Sequence, residues 1–342
     1  MIGYYVHHHG FGHLARAISI CEQMRRPVTL LTSREVPDSH PFAHVVKLPR
    51  DDCARQVSEP TAHGALHWAP HHDPGMASRM DTIARWVADA QPEAVVVDVS
   101  VEVAVFVRLL SVPIIVMALP GKRYDAPHLL VHRLADHIVA AWPKELCVPP
   151  WLRSYEDKTS YVGGISRFDG RQIPAPPPAH PQRGPCAATT VLILGGADGL
   201  GAGPGALEQS GTAQQLATWT TLGTSEADWT DDPWPQMCGA DVVVTHAGQS
   251  CIADVAAAQR PAVIIPQPRP YDEQLATARV LRQYRLAVVV RRWPDQRAWP
   301  ALVTQARASG PDRWRRWNIR GASARAADAI EATARCYARR AP

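Results

Sequence analysis

The segment of residues 241–278 limits the possible folds of this chain most strongly, because its polar side chains cluster at two turns between apolar runs. It reads DVVVTHAGQSCIADVAAAQRPAVIIPQPRPYDEQLATA. Residues 241–245 form a short β-branched run, which is typical of a buried strand. The turn HAGQS follows, then a helix over about 251–259, a strand over 262–266, a proline-rich loop and another helix. This order predicts a repeating unit of a parallel α/β sheet.

The turn between the first strand and its helix suits an anion. Gly248 permits a tight turn or the close approach of a ligand. The helix that follows presents unpaired N–H groups and the positive end of its dipole, and both favour a bound phosphate. An ordinary βαβ connection with a capped helix would have the same pattern, so the turn alone leaves both interpretations open.

The same order of strand, glycine loop and helix recurs at the N-terminus. Residues 2–6 read as a strand, 7–12 as a loop and 13–24 as a helix with one apolar face. Further elements are predicted as strands at 28–31, 45–48, 94–98, 114–118, 137–140 and 161–164, and as helices at 101–110 and 129–136. Residues 51–75 read as loops with one short helix. Such alternation predicts a doubly wound α/β fold with helices on both faces of a parallel sheet.

A proline-rich stretch divides the chain. Six prolines fall within residues 168–189, which therefore form the predicted linker. Because both halves begin with a strand and a glycine loop, we expect two facing doubly wound domains, over residues 1–167 and 190–313, with a ligand bound in the cleft between them. A C-terminal helix over about 314–342 is expected to pack back on the first domain.

Composition limits the class of protein. The chain has 342 residues, of which 46% are hydrophobic and 20% charged, enough for two domains with full cores. No apolar run is long enough for a membrane span, and Met1 leads straight into a strand, so we expect a cytoplasmic protein without a signal peptide. Seven cysteines are scattered and never form CxxC, which argues against a disulfide framework and a structural zinc site.

The charge does not indicate a nucleic-acid partner. The net charge of +4 comes with four lysines against 32 arginines, a bias that fits GC-rich coding better than a basic binding surface. The one concentrated basic run, RWRRWNIR at 313–320, is predicted to be the solvated face of a C-terminal helix. Peripheral contact with an anionic membrane is the alternative.

Residues 246–274 resemble the donor-binding signature of GT-B glycosyltransferases. This signature, found in MurG-like enzymes and in plant and antibiotic-type sugar transferases, reads HCGWNSxxE and closes with a DQ pair. His246, Gly248 and Asp254 fall on its histidine, glycine and acidic residue, and the pair EQ at 273–274 falls on its closing pair.

The chain departs from that signature at three positions: Asp254 replaces Glu, Ser250 replaces Asn and Cys251 replaces Ser. The shorter Asp254 weakens its assignment most. The resemblance implies a site in which His246 and the turn amides hold the diphosphate, Asp254 the ribose hydroxyls, and Glu273 with Gln274 the donor sugar. The other donor-binding residues that it implies are Ala247, Gly248, Gln249 and Ser250 in the turn, and Gly12, Gly195 and Gly196 in glycine loops that approach the phosphates.

A second motif lies in the first glycine loop. Residues 10–16 read GFGHLAR, a GxGHxxR string similar to the N-terminal loop of MurG-like glycosyltransferases and of a related hydrolase that acts on nucleotide-linked sugars. The resemblance implies that His13 faces the sugar, and an imidazole titrates near neutral pH, so His13 is our candidate general base. The missing GxGxxG pattern argues against a dinucleotide-binding Rossmann domain.

Three further features invite functional hypotheses. The histidine run at residues 7–9 suggests a metal, but successive side chains of a strand point to opposite faces, so we expect no metal site. Asp98, at a strand end, is expected to orient His13, to contact the acceptor or to cap a helix. Arg123, in a loop after a strand, is expected to reach an anionic acceptor or a phosphate.

The resemblance implies an N-terminal acceptor-binding domain, a C-terminal donor-binding domain and an inverting, metal-independent glycosyltransferase. Its donor would be a sugar on UDP, dTDP or GDP, its acceptor a small molecule or a lipid-linked one, and no other cofactor is expected. Three alternatives remain open: a nucleotide-sugar hydrolase, a nucleotide-sugar 2-epimerase, and a catalytically silent nucleotide-sugar-binding subunit.

Overall fold

The computed structural model describes residues 1–8, 10–174, 189–196, 217–225 and 227–338. These residues belong to two compact units. The first comprises Met1–Ala141, Val148–Gly163 and Ala322–Pro342, and the second Trp142–Cys147 and Gly164–Gly321.

The first unit is built on a parallel sheet. Its strands are β1 (Ile2–Val6), β2 (Val28–Thr32), β3 (His44–Lys47), β4 (Ala94–Asp98), β5 (Ile114–Ala118), β6 (His137–Ala140) and β7 (Thr159–Tyr161). They lie in the order β3-β2-β1-β4-β5-β6-β7, and all neighbouring pairs are parallel. β1, β2, β4 and β5 are buried along their whole length, because helices cover both faces of such a sheet.

The described helices that connect the strands of the first unit are α1 (Phe11–Cys21), α2 (Pro74–Ala90), α3 (Val101–Leu109) and α4 (Ala126–Leu134). The predicted strands and helices fall at these places, apart from shifts at their ends. The short helix expected within residues 51–75 is absent, since residues 51–73 form turns and loops. Instead the helix α2, which was not predicted from the sequence, begins at Pro74. Asp73 is the N-cap of α2, and its carboxylate accepts from the Met76 amide at 2.7 Å.

The second unit contains a shorter parallel sheet. Its described strands are β8 (Thr189–Leu194), β9 (Ala217–Leu222), β10 (Val242–Thr245), β11 (Ala262–Ile264) and β12 (Val288–Val289), in the order β12-β11-β10-β8-β9. Its described helices are α5 (Trp234–Gly239), α6 (Gln249–Ala258), α7 (Glu273–Gln283) and α8 (Trp299–Arg307). One core packs α5, α6 and α7 on one face of the sheet, and a second core packs α8 on the other.

The C-terminal segment differs from the prediction. Trp314 and Trp317 lie in a 3-10 turn, Pro311–Trp317, and are buried in a core of the second unit, whereas the arginines between and beside them are exposed. The helix α9 (Ala322–Tyr337) therefore begins later than residue 314. It belongs to the first unit, where it packs against α1, β4 and β6.

The predicted linker is only partly described. Phe168, within it, is buried in a core of the second unit, and residues 175–188 lie outside the described residues. The predicted domain limits therefore stay a prediction. Among the described helices, none combines the length and the apolar character that a membrane span requires.

Candidate functional site

The first candidate site lies at the carboxyl ends of β1 and β4. After β1 the chain forms β2 and β3 on one side of it, and β4 lies on its other side, so this is the switch point of the sheet, where α/β proteins bind ligands. Val6 and Asp98, the last residues of the two strands, are paired in register. α1 begins shortly after β1, and its residues Gly12 and His13 therefore lie close to this point.

Gly10 permits the close approach of the loop to His13. Its φ is +77°, and a Cβ atom added there would lie 3.3 Å from Cδ2 of the His13 ring. A larger residue would be strained and would press on the imidazole. The loop thus covers one part of the ring, while 22% of the His13 side chain stays exposed.

Asp98, the last residue of β4, holds the side chain of His13 in place. Its Oδ1 lies 2.9 Å from Nδ1 of His13 and accepts from Nη2 of Arg16 at 2.6 Å, and its Oδ2 accepts from Nε of Arg16 at 3.1 Å. Asp98 is fully buried, which by itself raises the pKa of its carboxyl. The charges and hydrogen bonds of Arg16 and His13 outweigh burial and lower that pKa to about 2.

The tautomer of His13 decides its chemistry. Nη2 of Arg16 lies 2.9 Å from the same Nδ1 atom, which can either donate to Asp98 or accept from Arg16. When Nδ1 carries the proton and donates to Asp98, Nε2 is the basic nitrogen, as in a base held by a buried carboxylate. Asp98 is not a helix cap, because the N-cap of α3 is Ser100.

The second candidate site lies at the ends of β8 and β10, where the order of the second sheet reverses. His246 directly follows β10. The Gly248 amide donates to its Nδ1 at 3.0 Å, so the proton is on Nε2, which lies 3.3 Å from Sγ of Cys251. Gly196 follows β8, and a Cβ there would lie 2.8 Å from this Nε2 atom. The two strand ends therefore meet at His246.

Gln274 fixes the same turn from α7. Its Oε1 accepts from the amides of Ala247 at 3.1 Å and of Gln267 at 2.9 Å, and its side chain is buried. Glu273 is the first residue of α7 and is half-buried. In this structure Gln274 thus organises the turn, and its contact with a donor sugar stays a prediction.

The remaining residues of the predicted donor site are also close to the turn. Gly248 is the N-cap of α6, and Gln249 and Ser250 form its first turn. Gly195 packs on another glycine turn, since a Cβ there would lie 2.1 Å from the carbonyl oxygen of Gly223. The predicted binding roles of these residues stay predictions, although Ala247 and Gly248 already donate to protein acceptors.

Comparisons with known proteins bear on the fold and on the resemblance. Residues 209–293 match the glycosyltransferase family 28 C-terminal domain. The structure is similar to that of the MurG protein of Acinetobacter baumannii (TM-score 0.59, 17% identity, 97% of this chain and 99% of that one). It is also similar to CalG4, the calicheamicin glycosyltransferase (TM-score 0.63, 17% identity, 100% and 99%). This chain has the GT-B fold and resembles MurG proteins. The predicted fold and resemblance are thereby confirmed.

Curated proteins that are similar to this chain in sequence are UDP-N-acetylglucosamine--N-acetylmuramyl-(pentapeptide) pyrophosphoryl-undecaprenol N-acetylglucosamine transferases. That of Sorangium cellulosum is 26% identical over 262 residues, which cover 67% of this chain and 62% of the relative. That of Nitrosomonas europaea is 27% identical over 201 residues, 52% of each chain. The match therefore spans between half and two thirds of the length of these relatives.

Asp254 contacts two residues that were not predicted from the sequence. It is buried in α6, accepts from Oγ of Ser166 at 2.7 Å and lies 3.4 Å from Nε of Arg167. Burial raises the pKa of its carboxyl to about 6, although Arg167 and Ser166 act in the opposite direction. The predicted ribose contact is untested. No local pattern could have found Ser166 and Arg167, which precede the proline-rich stretch.

Arg123 is buried and forms part of a polar chain in the first unit. Its Nη1 lies 2.9 Å from Nε2 of His128, whose Nδ1 lies 2.5 Å from Oδ1 of Asp125. His67 Nε2 lies 2.6 Å from the other oxygen of Asp125. Burial, helped by the charge of Arg123, lowers the pKa of His128 to about 4, so a neutral imidazole accepts from the guanidinium. The i, i+3 pair of Asp125 and His128 at the start of α4 was the available sequence signal.

Proposed function

We propose that this chain transfers a sugar from a nucleoside-diphosphate donor to an acceptor nucleophile, with inversion at the anomeric carbon and without a catalytic metal. The observation that carries the proposal is His13, held at 2.9 Å by the buried Asp98 at the switch point of the first sheet. A protein that only binds nucleotide sugars needs no imidazole that is oriented by a carboxylate. The similarity to family 28 glycosyltransferases supports the same reading.

In the proposed reaction His13 acts as the general base. As the acceptor nucleophile attacks the anomeric carbon, its proton passes to Nε2 of His13, and the bond from that carbon to the donor phosphate oxygen breaks. The electron pair of this bond leaves with the diphosphate. Asp98 stays ionised because Arg16 holds its pKa at about 2, and it stabilises the imidazolium that forms.

The leaving diphosphate is proposed to bind at the turn after β10. The N-terminus of α6 presents the positive end of its dipole there, and Gly196 and Gly248 allow a close approach of backbone to ligand. Stabilisation by such fixed dipoles acts where the charge develops, so a divalent cation is not required. The hydrogen bonds of Gln274 and His246 would fix the conformation of this turn before the ligand binds.

The names of the curated relatives suggest which substrates to test first. Those enzymes are named for UDP-N-acetylglucosamine and for a pyrophosphoryl-undecaprenol acceptor. We therefore propose a UDP-sugar as donor and a lipid-linked or small-molecule acceptor. Peripheral contact with a membrane is proposed from exposed apolar side chains on α3, on α4 and in the loop before α4, which are Leu109, Tyr124, Leu129 and Leu130.

Incubation of the full chain with UDP-, dTDP- and GDP-sugars, with and without acceptors, tests the proposal. Transferase activity predicts release of the nucleoside diphosphate only when an acceptor is present, and an anomeric configuration opposite to that of the donor. Release with water alone would mean a hydrolase, and binding without turnover a silent binder. Activity that persists in excess EDTA is expected, and its loss would contradict the metal-independent step.

A matched pair of variants assigns the base. His13→Ala is expected to lower the turnover number by about 10²- to 10⁴-fold, the usual contribution of a general base. His44→Ala, on the exposed strand β3, serves as control and is expected to keep full activity. Full turnover by His13→Ala would overturn the assignment of His13.

A further inference from the structure

Two of the N-terminal histidines lie together rather than on opposite faces. β1 ends at Val6, so His7 and His8 no longer follow the alternation of a strand. Their rings stack with centroids 4.4 Å apart and planes at 26°. The expectation that adjacent imidazoles diverge was therefore wrong for this pair, and the third histidine of the run, His9, lies outside the described residues.

Both rings face the same carboxylate. Nε2 of His7 lies 3.6 Å from Oδ2 of Asp51, and Nδ1 of His8 lies 3.6 Å from its Oδ1. One ligand atom from each of the three residues lies within 4.8 Å of the others. A separation of 3.6 Å is too long for a hydrogen bond. It is close to the separation of about 3.3–3.4 Å between two ligands that bind one tetrahedral ion at about 2.0–2.1 Å.

A second carboxylate and an arginine lie near these residues. Oδ2 of Asp52 lies 3.7 Å from Nε2 of His8, the ring nitrogen that faces away from Asp51. Metal-binding histidines usually donate this second nitrogen to a carboxylate or carbonyl, and at 3.7 Å Asp52 is near this position without being hydrogen-bonded to it. Asp51 itself is held by Nη1 of the buried Arg79 at 3.0 Å. The charge of Arg79 opposes a cation, and the Asp52 carboxylate is already paired with the guanidinium of Arg50, so we expect at most micromolar affinity.

The other histidine cluster of the first unit has a different geometry. His67 and His128 lie 2.6 and 2.5 Å from the oxygens of Asp125, which are hydrogen-bond distances, and Arg123 adds its guanidinium to His128. An ion there would have to break these hydrogen bonds between the ligand atoms themselves. At His7, His8 and Asp51 an ion would replace separations that are too long for hydrogen bonds.

We propose that His7, His8 and Asp51 bind a divalent transition-metal ion of the zinc type, with water at the remaining position. The side chain of His7 is 18% exposed, which gives an ion and its water access, whereas His8 and Asp51 are buried. The ion would connect the segment that leads from β1 to Gly10 and His13 with the loop after β3. It takes no part in the proposed sugar transfer, so the two proposals stand or fall separately.

Titration of the full, metal-stripped chain with ZnCl₂ against a chromophoric chelator tests this site. One ion per chain is expected, and Co²⁺ should give the visible absorption of a four-coordinate site. His7→Gln is expected to weaken Zn²⁺ binding at least about tenfold. His44→Gln, on exposed β3, and His67→Gln, in the other cluster, are expected to bind as the original chain does.

Three results would overturn the proposal. These are the absence of a one-to-one zinc complex, unchanged affinity in His7→Gln, and a loss of binding in His67→Gln instead. The circular dichroism spectrum of each variant without metal serves to show that it is folded. If His7→Gln does not fold, His7→Asn takes its place, and the Co²⁺ spectrum of the original chain remains an independent test, since an exposed six-coordinate ion absorbs only weakly.

Discussion

Nδ1 of His13 lies 2.9 Å from Oδ1 of Asp98, whose carboxylate is fully buried and held by Arg16. The two residues are far apart in sequence and meet because β1 and β4 are neighbours in the sheet and end in register. The imidazole of His13 is therefore oriented before any substrate binds. Such preorganisation lowers the entropy that an enzyme loses when it aligns a catalytic group with its substrate.

The first prediction concerns this pair. Asp98→Asn is expected to lower the turnover number about 10²- to 10⁴-fold with little change in donor affinity, because the amide can select the wrong His13 tautomer and cannot stabilise an imidazolium. Steady-state kinetics with the active donor measure both constants. Asp81→Asn, on the exposed side of α2, is the control and should act as the original chain does. An Asp98→Asn variant with normal turnover would show that Asp98 does not support His13.

A second prediction concerns Asp254, whose folded-state pKa of about 6 lies above the ordinary value of 3.8. A carboxyl group whose pKa is higher in the folded than in the unfolded chain stabilises the folded state. This stabilisation is complete at pH values below the pKa of the unfolded chain, and it is lost as pH rises through about 6. Asp254 should therefore add about 1 kcal/mol to the free energy of unfolding when pH falls from 7 to 5.

Asp254→Asn isolates that contribution. The amide of the variant still accepts from Ser166 but does not titrate. The free energy of unfolding of the original chain, measured relative to that of the Asp254→Asn variant, should therefore increase by about 1 kcal/mol from pH 7 to pH 5. Urea unfolding at both pH values measures it. Equal pH dependence in the two proteins would mean that Asp254 is ionised over the whole interval, and that Arg167 rather than burial governs its pKa.

How much the sequence predicts differs between parts of this chain. The buried strands β4, β5, β8 and β10 were predictable from short runs rich in Val, Ile and Leu between turns, and β1 from its apolar and aromatic residues, because such runs are typical of a parallel sheet that is covered on both faces. His246 was predictable as a strand-end residue for the same reason, since the chain must turn where the apolar run ends, whereas His13, the third residue of α1, was predicted from the GxGHxxR string.

Other features depend on contacts that no local pattern contains. Asp254 meets Ser166 and Arg167 only through the packing of the second unit. β9, with the sequence ATWTTL, was missed because its threonines alternate with few apolar residues and a glycine-rich stretch precedes it. α2 was missed although Asp73 followed by Pro74 is a recognisable start signal, since the surrounding histidines and prolines read as loop.

A third prediction concerns the space beside His246. Gly196→Ala would place a Cβ 2.8 Å from Nε2 of the buried imidazole, so the ring or the loop must move. We expect the dissociation constant for the nucleoside diphosphate to rise about tenfold, which corresponds to about 1.4 kcal/mol. Calorimetric titration measures it. Gly239→Ala, where a Cβ meets nothing within 4 Å, is the control in the same unit. Equal effects of both variants would contradict a specific role of the Gly196 loop.

The last prediction concerns the exposed apolar side chains of α4. Leu129 and Leu130 are each 38% exposed, and Arg133 on the same helix and Lys122 before it are exposed as well. Leucine side chains beside cationic ones favour an anionic lipid surface, because burial of the apolar groups and attraction of the charges act together. The original chain should therefore sediment with vesicles that contain phosphatidylglycerol, and less so at high salt.

The variant Leu129→Glu with Leu130→Glu should lose most of this association, because two carboxylates replace apolar contacts and are repelled by the anionic lipid. Val57→Glu, which changes another exposed apolar residue of the first unit, is the matched control and should still sediment. Turnover of a water-soluble acceptor should be equal in all three proteins, since none of these residues contacts His13 or Asp98 among the described hydrogen bonds. If Val57→Glu reduced vesicle binding as much as the double variant, the effect would be one of net charge, and α4 would have no special role at the membrane.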